Sequence, residues 1–195
     1  MTLVLTLLAF LLAQAEKPVI LAVGDSMTAG FGIDPAQSYP AQLERELARL
    51  GFNYRVVNYG VTASSSIQIL SSLNRGLILS PEIVIIQSGG NDRSAGISEE
   101  VSRETLRRMI ARLKPGHSRV FFAGGRFRFL DETARAEGIP VISFLENVEG
   151  HPELLISDGR HPNAAGYAVV VQNVLKVLEP NLRHTKSADS SVRGQ

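Results

Sequence analysis

The sequence predicts a three-layer α/β/α domain on a five-stranded parallel sheet, and three observations lead there. Short apolar runs of strand length recur, each followed by a segment of helical period. One run, Ile83-Val84-Ile85-Ile86, is β-branched throughout, as expected of a strand covered on both faces of a parallel sheet. The chain has 195 residues without internal repeats or a linker, which suits one domain with a sizeable core and is short for two. Strands alternating with helices in this way give a sheet with helices on both faces.

Val19–Val23 is the first strand. Pro40 to Leu50 follows as a helix, with Leu43, Leu47 and Leu50 on one face and Gly51 placed as a C-cap. Tyr54–Asn58 is the second strand, and Ser65–Arg75 a helix containing Ile69, Leu70 and Leu73. Ile83–Ile86 is the third strand. Ser98-Glu99-Glu100 opens a helix with acidic residues in its first turn, and Lys114-Pro115-Gly116 ends it after Leu113. Val120–Ala123 is the fourth strand, Leu130 to Glu137 a short helix stopped by Gly138, and Val141–Ser143 the fifth strand. The last helix runs from Ala164 to Leu178 and closes at Pro180.

The two ends read differently. Leu3 to Ala13 is almost wholly apolar and Ala13-Gln14-Ala15 fits a small-x-small cleavage site, so residues 1–15 are expected to be a signal peptide. Only the α-amino group supplies positive charge before the apolar run. That run falls short of the about 20 residues a membrane span needs, so no stable span is expected after cleavage. The expected mature domain is 16–182, secreted or periplasmic, followed by a disordered polar tail at 183–195.

Composition narrows the chemistry. Hydrophobic residues at 44% and charged residues at 20% are ordinary globular usage. A net charge of +1, with 4 Tyr and no Trp, offers neither charge nor stacking surface for a nucleic-acid partner. The absence of cysteine excludes disulfides, thiolate metal sites and a Cys nucleophile. There is no HExxH, no P-loop and no GxGxxG, so neither a metal nor a nucleotide cofactor is expected. The GxSxG elbow of α/β-hydrolases is also missing. His117, His151 and His184 read as solvated surface residues. Oligomeric state leaves no mark in the sequence.

In a parallel sheet the loops after the strands gather along one edge, and the polar candidates fall in those loops. Ser26 follows the first strand in Gly24-Asp25-Ser26-Met27-Thr28. Gly60 follows the second in Asn58-Tyr59-Gly60, and Asn91 the third in Gly89-Gly90-Asn91-Asp92. Asp158 and His161 lie just before the last helix. A serine hydroxyl is a poor nucleophile without an adjacent base. His161 can take and return its proton, and Asp158, three residues earlier, can orient the imidazole.

Gly24-Asp25-Ser26, Gly60, Gly89-x-Asn91-Asp92 and Asp158-x-x-His161-Pro162 resemble the four sequence blocks of the SGNH (GDSL) hydrolase family. Within it, the chain is similar to the bacterial thioesterase I, lysophospholipase L1 and arylesterase group, over about Val19 to Leu182. The resemblance implies the family's flavodoxin-like fold and a Ser26–His161–Asp158 triad working through a covalent acyl-enzyme without a cofactor. It implies an oxyanion hole from the backbone N–H groups of Ser26 and Gly60 and the side-chain amide of Asn91. The implied substrate is a small acyl ester, a thioester or a lysolipid. Asp25 is expected to organise its loop, and Asp92 to cap the turn that follows it.

Two departures bear on substrate. Met27 replaces the family's usual leucine, a swap of similar volume. The segment from Gly124 to Leu130 is shorter than in the resembling esterases, which implies a more open pocket with Phe127 or Phe129 forming part of the wall. Short or medium acyl groups are then favoured over long-chain thioesters. Arg126 and Arg128 read as exposed loop arginines, with steering of an anionic head group as the alternative. Two other functions compete: a carbohydrate O-deacetylase of the same fold, weakened by the lack of Trp, and a catalytically silent binding module, disfavoured because every expected catalytic side chain is present.

Overall fold

The computed structural model describes residues 17–116 and 118–182. The expected signal peptide at 1–15, the tail at 183–195, His117 and His184 lie outside them. Five parallel strands form one sheet in the order β2-β1-β3-β4-β5. They are β1 Val19–Gly24, β2 Arg55–Gly60, β3 Ile83–Ile86, β4 Arg119–Gly124 and β5 Val141–Ser143. Every residue of β1 and β3 is buried, as their unbroken apolar runs require.

The alternation of side chains across β1 separates two cores. Ile20 and Ala22 face a core completed by α2 (Tyr39–Arg49) and α6 (Ala164–Leu178), through Leu43, Leu47, Val170 and Val174. Leu21 and Val23 face the other core, built with α3 (Ser66–Gly76), α4 (Glu99–Leu113) and α5 (Arg128–Ala136) through residues such as Ile69, Leu106 and Leu130. Burying one such aliphatic side chain stabilises the fold by roughly 1.5–3 kcal/mol. Gly51, with φ of 84°, ends α2 in the left-handed conformation that a C-cap glycine supplies.

Boundaries of the expected elements fall within two residues of the sequence expectations, with one α-helix and four three-residue 3-10 turns added among the described residues. Ser26–Ala29 forms a four-residue helix, α1, directly after β1. Helix α5 begins at Arg128 rather than Leu130, so Arg128 and Phe129 are helical rather than part of a loop. Asp131 explains the tight entry: its carboxylate accepts the Gly125 N–H at 3.1 Å and pins the end of β4 to the first turn.

From β1 the chain crosses to β2 on one side, then returns over β1 to β3 on the other. The loops leaving β1 and β3 therefore diverge, which opens a crevice at the carboxyl ends of these two neighbouring strands. Ser26 and Asn91 stand on opposite sides of that crevice.

Candidate active site

Ser26 occupies the first position of α1, where a backbone N–H has no intrahelical partner. Asp25 caps this helix by accepting the Met27 N–H at 2.9 Å. The same carboxylate, only 1% exposed, accepts from Gln87 Nε2 at 3.1 Å, while the Asp25 N–H donates to Gln87 Oε1 at 2.9 Å. Asp25 thus organises its loop, as expected, and Gln87 is its partner from the end of β3. The Tyr167 hydroxyl supports the turn from below by donating to the Met27 carbonyl at 2.9 Å.

His161 arrives from far along the chain. Its Nε2 lies 2.8 Å from Ser26 Oγ and its Nδ1 2.6 Å from Asp158 Oδ2. An ionised carboxylate can only accept, so Nδ1 carries the proton and Nε2 is left to accept from the serine hydroxyl. Asp158 Oδ1 accepts the backbone N–H groups of His161 at 3.0 Å and Arg160 at 2.9 Å. The His161 backbone N–H, then its ring, then the Arg160 N–H hold the Asp158 carboxyl down at about 2.

The loop carrying this pair is pinned at its base by a bridge between Leu155 and Pro162 and by the Ile156 N–H donating to His161 O at 2.9 Å. Asn163 then caps α6, accepting from Ala165 and Gly166 at 3.0 Å while donating to Glu153 O and Leu155 O. The sequence reading missed this role, although an Asn just before an apolar helix is a recognisable N-cap signal. The Phe31 ring, itself exposed, tilts against the His161 imidazole at 5.0 Å between centroids.

The oxyanion candidates are neighbours, with two donors already engaged. Gly60 pairs with Gly24 across β1 and β2, and its N–H donates to Asn58 Oδ1 at 2.9 Å. A Cβ on Gly60 would run into the backbone of Thr28 and Ala29, so glycine is required here by packing against α1. Asn91 Nδ2 donates to Ser64 O at 3.0 Å and to Asp25 Oδ2 at 3.4 Å. Among the described residues, nothing accepts the Ser26 N–H.

The Asp92 carboxylate does not cap the turn after it, as the sequence suggested; only its backbone carbonyl accepts from that turn, at Ala95 and Ile97. The carboxylate accepts the Ser66 N–H at 2.7 Å at the start of α3 and the Ser102 hydroxyl at 2.6 Å from α4.

Next to Asp25 and Met27, the neighbours of Ser26, a narrow recess of about 20 Å³ opens between the ends of β3, β4 and β5, room for little more than a water molecule. Met27, Phe122, Phe127, Phe144 and Leu145 give it apolar walls. Phe127, a candidate for the substrate wall, lines this recess. Phe129 is not among the lining residues: it lies on α5 with the Arg103 guanidinium 5.0 Å from its ring. Arg126 also lines the recess, joined by Arg160, which the sequence reading did not single out. Arg128 stands apart, bound to Glu132 at 2.8 Å. His151 is exposed and contacts Glu153 at 3.1 Å. Among the described residues, no three His, Asp or Glu side chains gather as a metal site.

Residues 22–169 match the profile of the GDSL-like lipase/acylhydrolase family. The chain belongs to that family. As an acylhydrolase it is an enzyme that cleaves ester bonds, on the fold predicted from its sequence. This acylhydrolase is 30% identical to Esterase TesA of Pseudomonas aeruginosa, over 90% of the present chain and 94% of that protein. It is 27% identical to the thioesterase 1/protease 1/lysophospholipase L1 of Escherichia coli K12, over 92% and 91% of the two chains. Among solved structures, the crystal structure of TesA superposes with a TM-score of 0.77, at 30% identity over 84% of this chain and all but 1% of the other, 99% being covered. The SGNH-hydrolase family esterase AlinE4 superposes with a TM-score of 0.68, at 30% identity over 88% of this chain and 100% of that one.

Proposed function

We propose that this acylhydrolase is a serine esterase acting on small carboxylic esters or thioesters, with Ser26 as nucleophile, His161 as general base and Asp158 as the group that orients the imidazole. The observation that carries the reading is the continuous line from Ser26 Oγ to His161 Nε2 at 2.8 Å and from His161 Nδ1 to Asp158 at 2.6 Å. As Oγ attacks the acyl carbon, its proton passes to Nε2, and the imidazolium that forms is stabilised by Asp158. The developing oxyanion takes the Ser26 N–H, the Gly60 N–H and Asn91 Nδ2. The last two must turn from Asn58 and from Ser64 and Asp25 to do so. His161 returns the proton to the departing alcohol or thiol, leaving an acyl group on Ser26. Water, deprotonated by the same imidazole, then releases the acid.

The recess beside Ser26 is narrow, which favours a short or medium acyl group over a long chain. The names of the relatives above link them to esters, thioesters and lysophospholipids, and the same bond type is proposed here.

A fluorophosphonate probe tests the reading. We expect a covalent adduct on Ser26 in the folded protein, and its loss together with p-nitrophenyl butyrate hydrolysis in Ser26→Ala. A folded protein that takes no label, or a Ser26→Ala variant that retains turnover, overturns it.

A further inference from the structure

We propose that Arg126 and Arg160 select esters carrying an anionic group, a carboxylate or a phosphate, on the part of the substrate that lies at the mouth of the recess; the inference rests on the esterase reading above. Both side chains line the recess, and they come from different elements: Arg126 from the segment after β4, Arg160 from the loop bearing Asp158 and His161. Arg160 Nη2 donates to the Gly90 carbonyl at 3.3 Å, which holds the guanidinium over the loop after β3. Among the described residues no carboxylate lies within ion-pair distance of Arg160. Arg126 has only Glu149, whose side chain is 57% exposed and stands 3.9 Å from Nε, a loose and solvent-screened pair.

The recess offsets this charge only in part. Asp25 is the one carboxylate among its lining residues against the two arginines, and its oxygens already accept from the Met27 N–H, Gln87 Nε2 and Asn91 Nδ2. Arg128 is the contrast: its side chain is 92% exposed and ion-paired to Glu132, an ordinary surface arginine. Two guanidinium groups with donors to spare, set against aromatic walls, suit an apolar stem ending in a negative charge. The forked donors of arginine match a carboxylate or phosphate edge, and low-dielectric walls concentrate the field between them.

The test compares matched ester pairs with the full chain, each rate divided by spontaneous hydrolysis. One pair places the charge on the acyl side: the p-nitrophenyl monoester of adipic acid against its methyl-capped form. The other places it on the alcohol side: 4-acetoxybenzoate against its methyl ester. We expect kcat/KM to favour the anion by about tenfold in at least one pair at low salt, with the preference shrinking as sodium chloride is added. The responding pair tells which side of the ester lies at the mouth of the recess. The anion-to-neutral ratio should fall towards one in Arg126→Gln combined with Arg160→Gln, and invert in Arg126→Glu. A general loss of folding or activity moves both members of a pair together and leaves that ratio alone. Turnover without anion preference in either pair, or a preference that survives the double substitution, overturns the inference and leaves the esterase reading standing. Failure to hydrolyse any of the four, with no fluorophosphonate adduct on Ser26, brings down both.

Discussion

In the proposed mechanism Asn91 uses one amide for two purposes. In the resting site Nδ2 holds the Ser64 carbonyl and the Asp25 carboxylate, and in the proposed mechanism it turns to the oxyanion. Losing one oxyanion donor costs about 3–4 kcal/mol of transition-state stabilisation. Asn91→Ala should therefore fold, melt somewhat lower, and lose roughly two to three orders of magnitude in kcat. Near-normal turnover of p-nitrophenyl butyrate would remove Asn91 from the mechanism. Asp158→Asn should cost about 10⁴ in kcat, because an amide can donate to Nδ1 and leave the proton on Nε2. This position also has a pH signature. The Asp158 carboxyl is held below the ordinary value of 3.8, at about 2, so its ionised form stabilises the fold above about pH 4 and that contribution disappears as pH falls through 2. The melting-temperature gap between wild type and Asp158→Asn should accordingly narrow from pH 4 to pH 2; a gap constant over that range would count against it. At this scale the sequence was informative where chemistry and loop position coincide, as at Ser26 and His161. It concealed Gln87 and Arg160, whose importance lies in where long side chains point, and periodicity carries no such information.

Helices α3 and α4 are joined through a single carboxylate. Asp92, 3% exposed, accepts from the first residue of one and from a hydroxyl in the first turn of the other. Removing it strands one buried donor, the Ser66 N–H, at about 1–3 kcal/mol, while the Ser102 hydroxyl keeps the Ser98 carbonyl, 3.0 Å away, as an acceptor. Asp92→Ala should lower the urea midpoint by the equivalent of about 1–3 kcal/mol, and Ser102→Ala alone should cost less, because it leaves the Ser66 N–H paired with Asp92. Unchanged midpoints in Asp92→Ala would deny it this role. The long helices were legible because Leu43, Leu47, Ile69 and Leu73 repeat at helical spacing. Helix α1 was not, since four residues hold hardly more than one turn. The early start of α5 was hidden for a different reason: it depends on Asp131 reaching back to Gly125, a tertiary contact rather than a local preference.

Across the whole molecule, the reversal of strand order between β1 and β3 places the site, and the ends of β4 and β5 give it a pocket. Phe122 and Phe144 form part of that pocket's wall. In a p-nitrophenyl ester series, butyrate or hexanoate should be hydrolysed with higher kcat/KM than palmitate; a clear optimum at palmitate would show the acyl group lying elsewhere. The bond between Ser26 and His161 spans 135 positions of sequence and joins the first loop of the domain to its last. In the proposed mechanism, the nucleophile emerges early during synthesis and its base late, and contacts so distant close only after the intervening sheet has assembled. A nascent or half-folded chain therefore carries an unactivated serine, unable to acylate itself on a passing ester. Reactivity begins when the last helix docks, so the time course of Ser26 labelling during refolding becomes a clock for that final step.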